Sequence, residues 1–304
     1  MQFLITGGTG FVGSMLTSYL LEKGHTVHIL TRRPGNNLPQ GVKHFSWNPK
    51  NQEIQLEAFE GVQYIIHLAG AGVADKRWNK KYKLEILNSR VQSGELLRNT
   101  LNRHPHSVKG IISASAIGYY GPDKEGHTFS ETDPPGDNFL SDTCKAWEES
   151  VQRINGVTLC ILRLGIIFGK GGGAFPKFIA PLKYGLSAIL GSGKQVISWI
   201  HVTDVCRMIE FTAQHQLSGV YNAVAPMPAT NRYLTIEISH RIRKNAYIPI
   251  HVPAALLKLV LGESSLEVLK STTVSSEKIA NAGFTFLYPS IKAALNDLLP
   301  EKDN

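Results

Sequence analysis

The stretch QFLITGGTGFVG, residues 2 to 13, decides how this chain folds. Phe3, Leu4 and Ile5 form the centre of a short apolar strand, and from Phe11 the pattern FVGSMLTSYLLEKG reads as a helix closed by Gly24. Between them Gly7, Gly10 and Gly13 recur three residues apart at a strand-to-helix turn. The first glycine permits the tight turn, the second lets a pyrophosphate approach the backbone, and the third lets the helix pack closely on the sheet. Together with Phe11 and Val12, which open the helix, they predict a dinucleotide cradle.

The next strand, TVHILT at 26 to 31, completes the unit and ends in TRRP. A carboxylate at this position would take the adenosine ribose hydroxyls of NAD(H); here stand Arg32 and Arg33. A guanidinium grips a 2′-phosphate with two parallel charge-assisted bonds, so NADP(H) is the expected cofactor.

Outward from the turn, strands at 63–69, 108–115 and 157–164 alternate with helices near 78–102 and 140–154. Apolar strands buried on both faces and separated by helices predict an α/β fold, a Rossmann-type doubly wound parallel sheet. After Gly169 the alternation loosens into glycine- and proline-rich stretches, and APMPAT at 225–230 interrupts it again. We expect a dinucleotide-binding domain over 1–225, with lobe insertions after 169, and a smaller C-terminal substrate lobe over 226–304.

Composition narrows the function. With 42% hydrophobic residues the chain can bury a substantial core. No window approaches the apolar run of a membrane span and the opening residues lack a basic leader, so a cytoplasmic protein without a membrane partner is expected. Cys144, Cys160 and Cys206 are too widely spaced for a metal knuckle, and the 11 histidines form no HxxxH or HExxH pair, so no metal is expected. The net charge of +8 is not gathered into an aromatic-interleaved block, and DKRWNKKYK at 75–83 reads as the solvated entry to a helix. A phosphate-bearing small ligand accounts for the excess positive charge without nucleic acid. GSGKQ at 191–195 lacks the first glycine and the Ser or Thr of a phosphate loop, and no GxSxG is present.

The ordered set TGGTGFVG (6–13), HLAG (67–70), SASAIGYYG (113–121), RLGIIFGKGGG (163–173) and WIHVTDV (199–205) resembles the extended short-chain dehydrogenase/reductases, the superfamily of nucleotide-sugar epimerases and dehydratases. KRW (76–78), NSR (88–90), KGGGA (170–174) and YNAVAP (221–226) are similar to an epimerase-like subfamily of undefined activity that carries a C-terminal domain of unknown function. The resemblance implies cofactor contacts from Gly7, Gly10, Phe11, Val12 and Gly13, from Thr31 and Arg32, from Leu68, Ala69 and Gly70, from Glu85 and Arg90 on the long helix, and from Ile166. It further implies a small-molecule substrate, a sugar nucleotide or a carbonyl compound, and a homodimer.

The resemblance also implies a tyrosine four residues before a lysine on one helix, with the ammonium lowering the phenol pKa. Here Lys145 is present, but Ser141 holds the tyrosine position. The Ser or Thr expected four residues before the tyrosine of the YG pair is Ala116, with Ser115 one place earlier. Tyr120, Lys145 and Ser115 are therefore the candidate catalytic groups, with Tyr119, Arg163, Trp199 and His201 around the substrate cleft. Two functions stay open: an NADP(H)-dependent oxidoreductase or epimerase-like enzyme with an altered proton donor, and a catalytically silent NADP(H)-binding sensor or interaction module.

Overall fold

A computed structural model describes residues 1–35 and 38–300. The first half alternates as expected: β1 (Gln2–Thr6), α1 (Phe11–Glu22), β2 (Thr26–Thr31), β3 (Val42–Asn48), β4 (Glu53–Ile54), β5 (Tyr64–His67), α2 (Lys80–Arg103), β6 (Gly110–Ala116), α3 (Phe139–Ser150) and β7 (Thr158–Leu164). The sequence reading passed over β3, whose VKHFSWN mixes polar and apolar residues without a clean period of two. The remainder comprises β8 (Ile166–Gly169), β9 (Gly172–Gly173), α4 (Phe175–Ile179), β10 (Leu186–Leu190), β11 (Val196–Ile197), β12 (Trp199–His201), α5 (Val202–Gln214), β13 (Gly219–Ala223), β14 (Ala229–Thr230), α6 (Asn231–Arg243), β15 (Ile248–Val252), α7 (Ala254–Leu261), α8 (Ser265–Leu269), α9 (Glu277–Asn281) and α10 (Ile291–Leu298).

The main sheet has the order β13-β7-β6-β5-β1-β2-β3-β4, parallel except where β4 turns back on β3. Alternation along β1 divides its side chains between two cores. Phe3 and Ile5 join Leu16 and Leu20 of α1 and Met208 and Ile209 of α5, while Leu4 joins Leu96, Leu97 and Leu101 of α2. The strand order reverses at β1, flanked by β2 on one side and β5 on the other, and the crevice outside the carboxyl ends of such strands is where doubly wound sheets bind ligands.

A smaller core lies beside the sheet. Phe168 stacks on Trp199 with ring centroids 5.9 Å apart, and Phe175, Leu234, Ile238, Ile291 and Leu295 close around them. This core draws on both sides of residue 225, because β10 pairs with β15 and β11 with β14. Among the described residues no helix is long and apolar enough to cross a membrane.

Candidate functional site: a dinucleotide crevice and a locked polar cluster

The glycine turn is built to near-contact. A side-chain carbon at Gly13 would lie 2.2 Å from the carbonyl oxygen of Gly7, so only glycine lets α1 enter this close to β1. Gly7 itself has φ +73°, and a side-chain carbon there would lie 3.0 Å from the Leu68 carbonyl. Gly10 is exposed and precedes α1 with no side chain capping the helix. The first amides of a 12-residue helix, from Phe11 to Gly13, are thus left for an external acceptor, the arrangement that binds a pyrophosphate. The residues present fit a dinucleotide.

The facing wall is held by a buried hydroxyl. Thr6 Oγ1 accepts the backbone N–H groups of Leu68 and Ala69, each at 3.2 Å, and so gives its proton to His67 Nδ1 at 2.8 Å. Burial pushes the His67 imidazole down to about 3, with the Arg90 charge acting in the same direction, so it stays neutral. Arg90 donates to the carbonyls of Ala71 at 3.0 Å and Ile86 at 2.9 Å and lies over the Trp147 ring at 4.9 Å. A substituent on Gly70 would meet the Arg90 guanidinium at 3.0 Å. Arg90 therefore braces the 68–72 loop, whereas Glu85 is exposed and pairs with Lys76 at 3.9 Å on the surface. The structure does not bring these two residues together, since five residues along a helix rotate a side chain by about 140°.

At the far end of β2, Thr31 is buried and its hydroxyl accepts the Arg33 N–H at 3.2 Å, while Arg32 and Arg33 are exposed beyond it. Ile166 opens β8, two residues past the end of β7, and is exposed.

Two of the candidate catalytic groups, Ser115 and Tyr120, fall into a buried cluster organised by Glu148. Ser115 Oγ donates to Glu148 Oε1 at 2.7 Å; Arg163 Nε and Nη2 donate to the two Glu148 oxygens at 2.8 and 2.9 Å. Arg163 Nη1 donates to the Tyr120 hydroxyl at 2.9 Å, which in turn donates to Asn222 Oδ1 at 2.5 Å. Tyr119 lies against the Arg163 guanidinium, 3.4 Å from ring centroid to Cζ. Burial raises the Tyr120 phenol to about 12 against the lowering effect of Arg163. Burial opposes the Arg163 charge, but the Glu148 carboxylate outweighs it and holds the guanidinium protonated. Ser115, Glu148, Arg163 and Tyr120 are thus hydrogen-bonded to one another, and the raised Tyr120 phenol is a poor proton donor at neutral pH.

Lys145 stands apart from this cluster. The buried side of α3 carries Ser141, Cys144, Trp147 and Glu148; Lys145 is exposed. Four residues rotate a helix by about 40° past a full turn, and because Ser141 sits at the margin of the buried arc this carries Lys145 out of it. Ser141 Oγ donates to the Gly118 carbonyl at 3.0 Å, so it fastens the helix to the end of β6. Cys144 occupies the inward position beside Ser115, its thiol raised to about 11, chiefly by burial. Trp199 and His201 are likewise interior residues. The Trp199 indole donates to the Met227 carbonyl at 2.9 Å, and His201 Nδ1 caps α5 by accepting the Thr203 N–H at 3.2 Å. His201 Nε2 faces Asp297 at 3.5 Å, and Asp204 accepts the backbone N–H groups of Leu287 and Tyr288, both at 2.9 Å. This polar set ties the C-terminal segment to α5. No group of His, Cys, Asp and Glu side chains able to hold a metal ion occurs among the described residues.

Comparison with known proteins agrees with this geometry. Residues 3–223 match the NAD dependent epimerase/dehydratase family, and residues 252–298 match a domain of unknown function, DUF1731. An epimerase family protein of Staphylococcus saprophyticus is 34% identical, covering 98% of this chain and 99% of its own. The human epimerase family protein SDR39U1, crystallised with NADPH, superposes with a TM-score of 0.86 at 27% identity over 98% of this chain and 99% of that one. UDP-glucose 4-epimerase of Thermus thermophilus, crystallised with NAD, shares the fold with a TM-score of 0.74 at 20% identity over 94% of each chain. With a doubly wound sheet, a glycine cradle at its reversal point and these relatives over nearly its whole length, the chain belongs to the NAD dependent epimerase/dehydratase family.

Proposed function

We propose that the protein binds NADP(H) in the crevice and works as an epimerase-like oxidoreductase on a small carbonyl substrate. The observation that carries the cofactor choice is the end of β2, where Arg32 and Arg33 are exposed. The NADPH crystallised with the human relative supports the same choice. The cofactor, when bound, supplies the hydride. The chain's part is to hold it: amides from Phe11 to Gly13 toward the phosphates, the Arg90-braced loop along the opposite wall, and the lobe built on β8 and β10 closing the substrate side. A titration of intrinsic fluorescence with NADPH and NADH tests the reading, and equal affinity for the two would overturn the NADP(H) choice.

A second reading, a silent NADP(H)-responsive module, is favoured by the hydrogen-bond chain in which Ser115, Glu148, Arg163 and Tyr120 occupy one another. The two separate in a single-turnover test. Oxidation of bound NADPH by a metabolite extract supports the enzyme; tight binding with no oxidation supports the module. Association as a homodimer is part of the proposal and is read by sedimentation.

A further inference from the structure

The segment from α7 through α8 forms a bridge from the start of α2 to the loop after β6. At one end Glu263 pairs with Lys83 at the start of α2, and Gly262 presses on Arg77, whose Nε would lie 2.7 Å from a side-chain carbon there. At the other end Gln195 Nε2 donates to the Val268 carbonyl at 3.2 Å, and Thr272 Oγ1 donates to the Gly121 carbonyl at 3.0 Å just beyond β6. The bridge thus lies at the carboxyl ends of β5 and β6, the ligand side of the sheet.

Its own surface is apolar and uncovered. Helix α7 buries only Leu257, while Leu256, Leu259 and Val260 are 48%, 72% and 62% exposed. Their spacing places the three on one helix face. Soluble chains keep such clustered apolar surface where something binds to it. The flank is cationic: Arg77, Lys80 and Lys258 are exposed, and none of them has an ion-pair partner among the described residues. Arg77 reaches Gly262, within one helical turn of Leu259. An apolar face edged by unpaired cations complements a ligand that is apolar along its length and anionic at one end, whereas a sugar nucleotide would need hydrogen-bonding groups in place of Leu256, Leu259 and Val260.

We propose that this bridge binds an amphiphilic anion as the substrate class, its chain against Leu256, Leu259 and Val260 and its anionic group at Arg77. This rests on the reading above in taking the crevice as the substrate side. The test uses 8-anilinonaphthalene-1-sulfonate, an apolar anion, and its neutral counterpart N-phenyl-1-naphthylamine, titrated into the full chain saturated with NADPH. The sulfonate should saturate at one site per chain and weaken by about tenfold or more in Leu259→Gln/Val260→Gln, both exposed positions whose change leaves the core intact. Arg77→Gln should weaken the sulfonate roughly fivefold and leave the neutral probe unchanged. The proposal is overturned if the sulfonate is indifferent to the paired substitution. It is equally overturned if sedimentation shows two copies meeting through this face with the probe excluded, or if the face takes up phosphatidylglycerol vesicles and not the free probe. Failure of NADPH itself to bind appears in its own titration and sinks the cofactor reading, while the probe arms are then read on the free chain.

Discussion

Arg163 and Glu148 meet in a two-pronged ion pair inside the protein, Nε to Oε1 at 2.8 Å and Nη2 to Oε2 at 2.9 Å, both side chains buried. Arg163 stands on β7 and Glu148 on α3, so the pair fixes the helix to the sheet. Its third nitrogen, Nη1, donates to Tyr120, which reaches Asn222 on β13. Removing one member leaves the other charged and unpaired. Arg163→Met or Glu148→Leu alone should therefore cost about 3–5 kcal/mol, whereas the double substitution Arg163→Met/Glu148→Leu should recover a large part of it. Urea unfolding of the two single variants and the double variant checks this; strictly additive losses would show that the pair acts as two independent packing residues.

The glycines of the turn differ in what they tolerate. Gly13→Ala drives a methyl to 2.2 Å from the Gly7 carbonyl oxygen and must push α1 off the sheet, so it should lower stability by about 2 kcal/mol or more and abolish dinucleotide binding. At Gly10 the contact is 3.3 Å and the position is exposed. Gly10→Ala should leave the fold within about 1 kcal/mol of the parent yet weaken NADPH, because the added methyl stands where the pyrophosphate approaches. Thermal unfolding with and without NADPH separates the two effects.

Cofactor choice should follow Arg32. NADPH is expected to bind at least about tenfold more tightly than NADH, and Arg32→Ala should remove about that factor for NADPH while sparing NADH. Fluorescence titration of both cofactors against both proteins gives the four affinities, and an equal loss for NADH would mean that Arg32 holds a group common to both.

Stability should fall with acidity through His67. In the folded chain its imidazole is held down to about 3, chiefly by burial, whereas in the unfolded chain it protonates near about 6.5. Between those values the unfolded chain binds a proton that the folded chain does not, so stability present above about pH 6.5 is lost as the pH falls toward 3, by up to about 1.4 kcal/mol per unit. His28 and His201, also lowered chiefly by burial, act in the same direction. Urea midpoints between about pH 7.5 and pH 5 should decline for the parent and decline less steeply for His67→Gln, which has no proton to gain.

How far these features were legible in the sequence depends on how local they are. The glycine turn, the strands and the arginines after β2 were readable because each rests on neighbours within a few residues. The smaller core was only partly readable. Phe168 on Trp199, and Leu186 opposite Ile248, join segments about 30 and 60 residues apart, and no local pattern announces such a pairing. Glu148 went unremarked because its meaning comes from Arg163, on the following strand, and from Ser115, on the preceding one.

Lys145 is a different case: its spacing from Ser141 sets the angle between two side chains but not which side of the helix is buried. Burial on α3 is decided by Cys144, Trp147 and Glu148, and this phase leaves Lys145 outside. Lys145→Ala should accordingly change NADPH affinity by less than about twofold, since an exposed lysine without a fixed partner contributes little. Ser141→Ala should behave differently. Its hydroxyl is buried and donates to the Gly118 carbonyl at 3.0 Å, so deleting it leaves that acceptor unpaired and should cost about 1–2 kcal/mol of stability. Because Gly118 directly precedes Tyr119 and Tyr120, the same change should loosen the end of β6 and raise amide exchange there. Affinity measured alongside hydrogen exchange distinguishes the outcomes: a Lys145→Ala protein that bound NADPH tenfold less well, with unaltered exchange at Gly118 to Tyr120, would return that lysine to the cofactor and require α3 to rotate on binding.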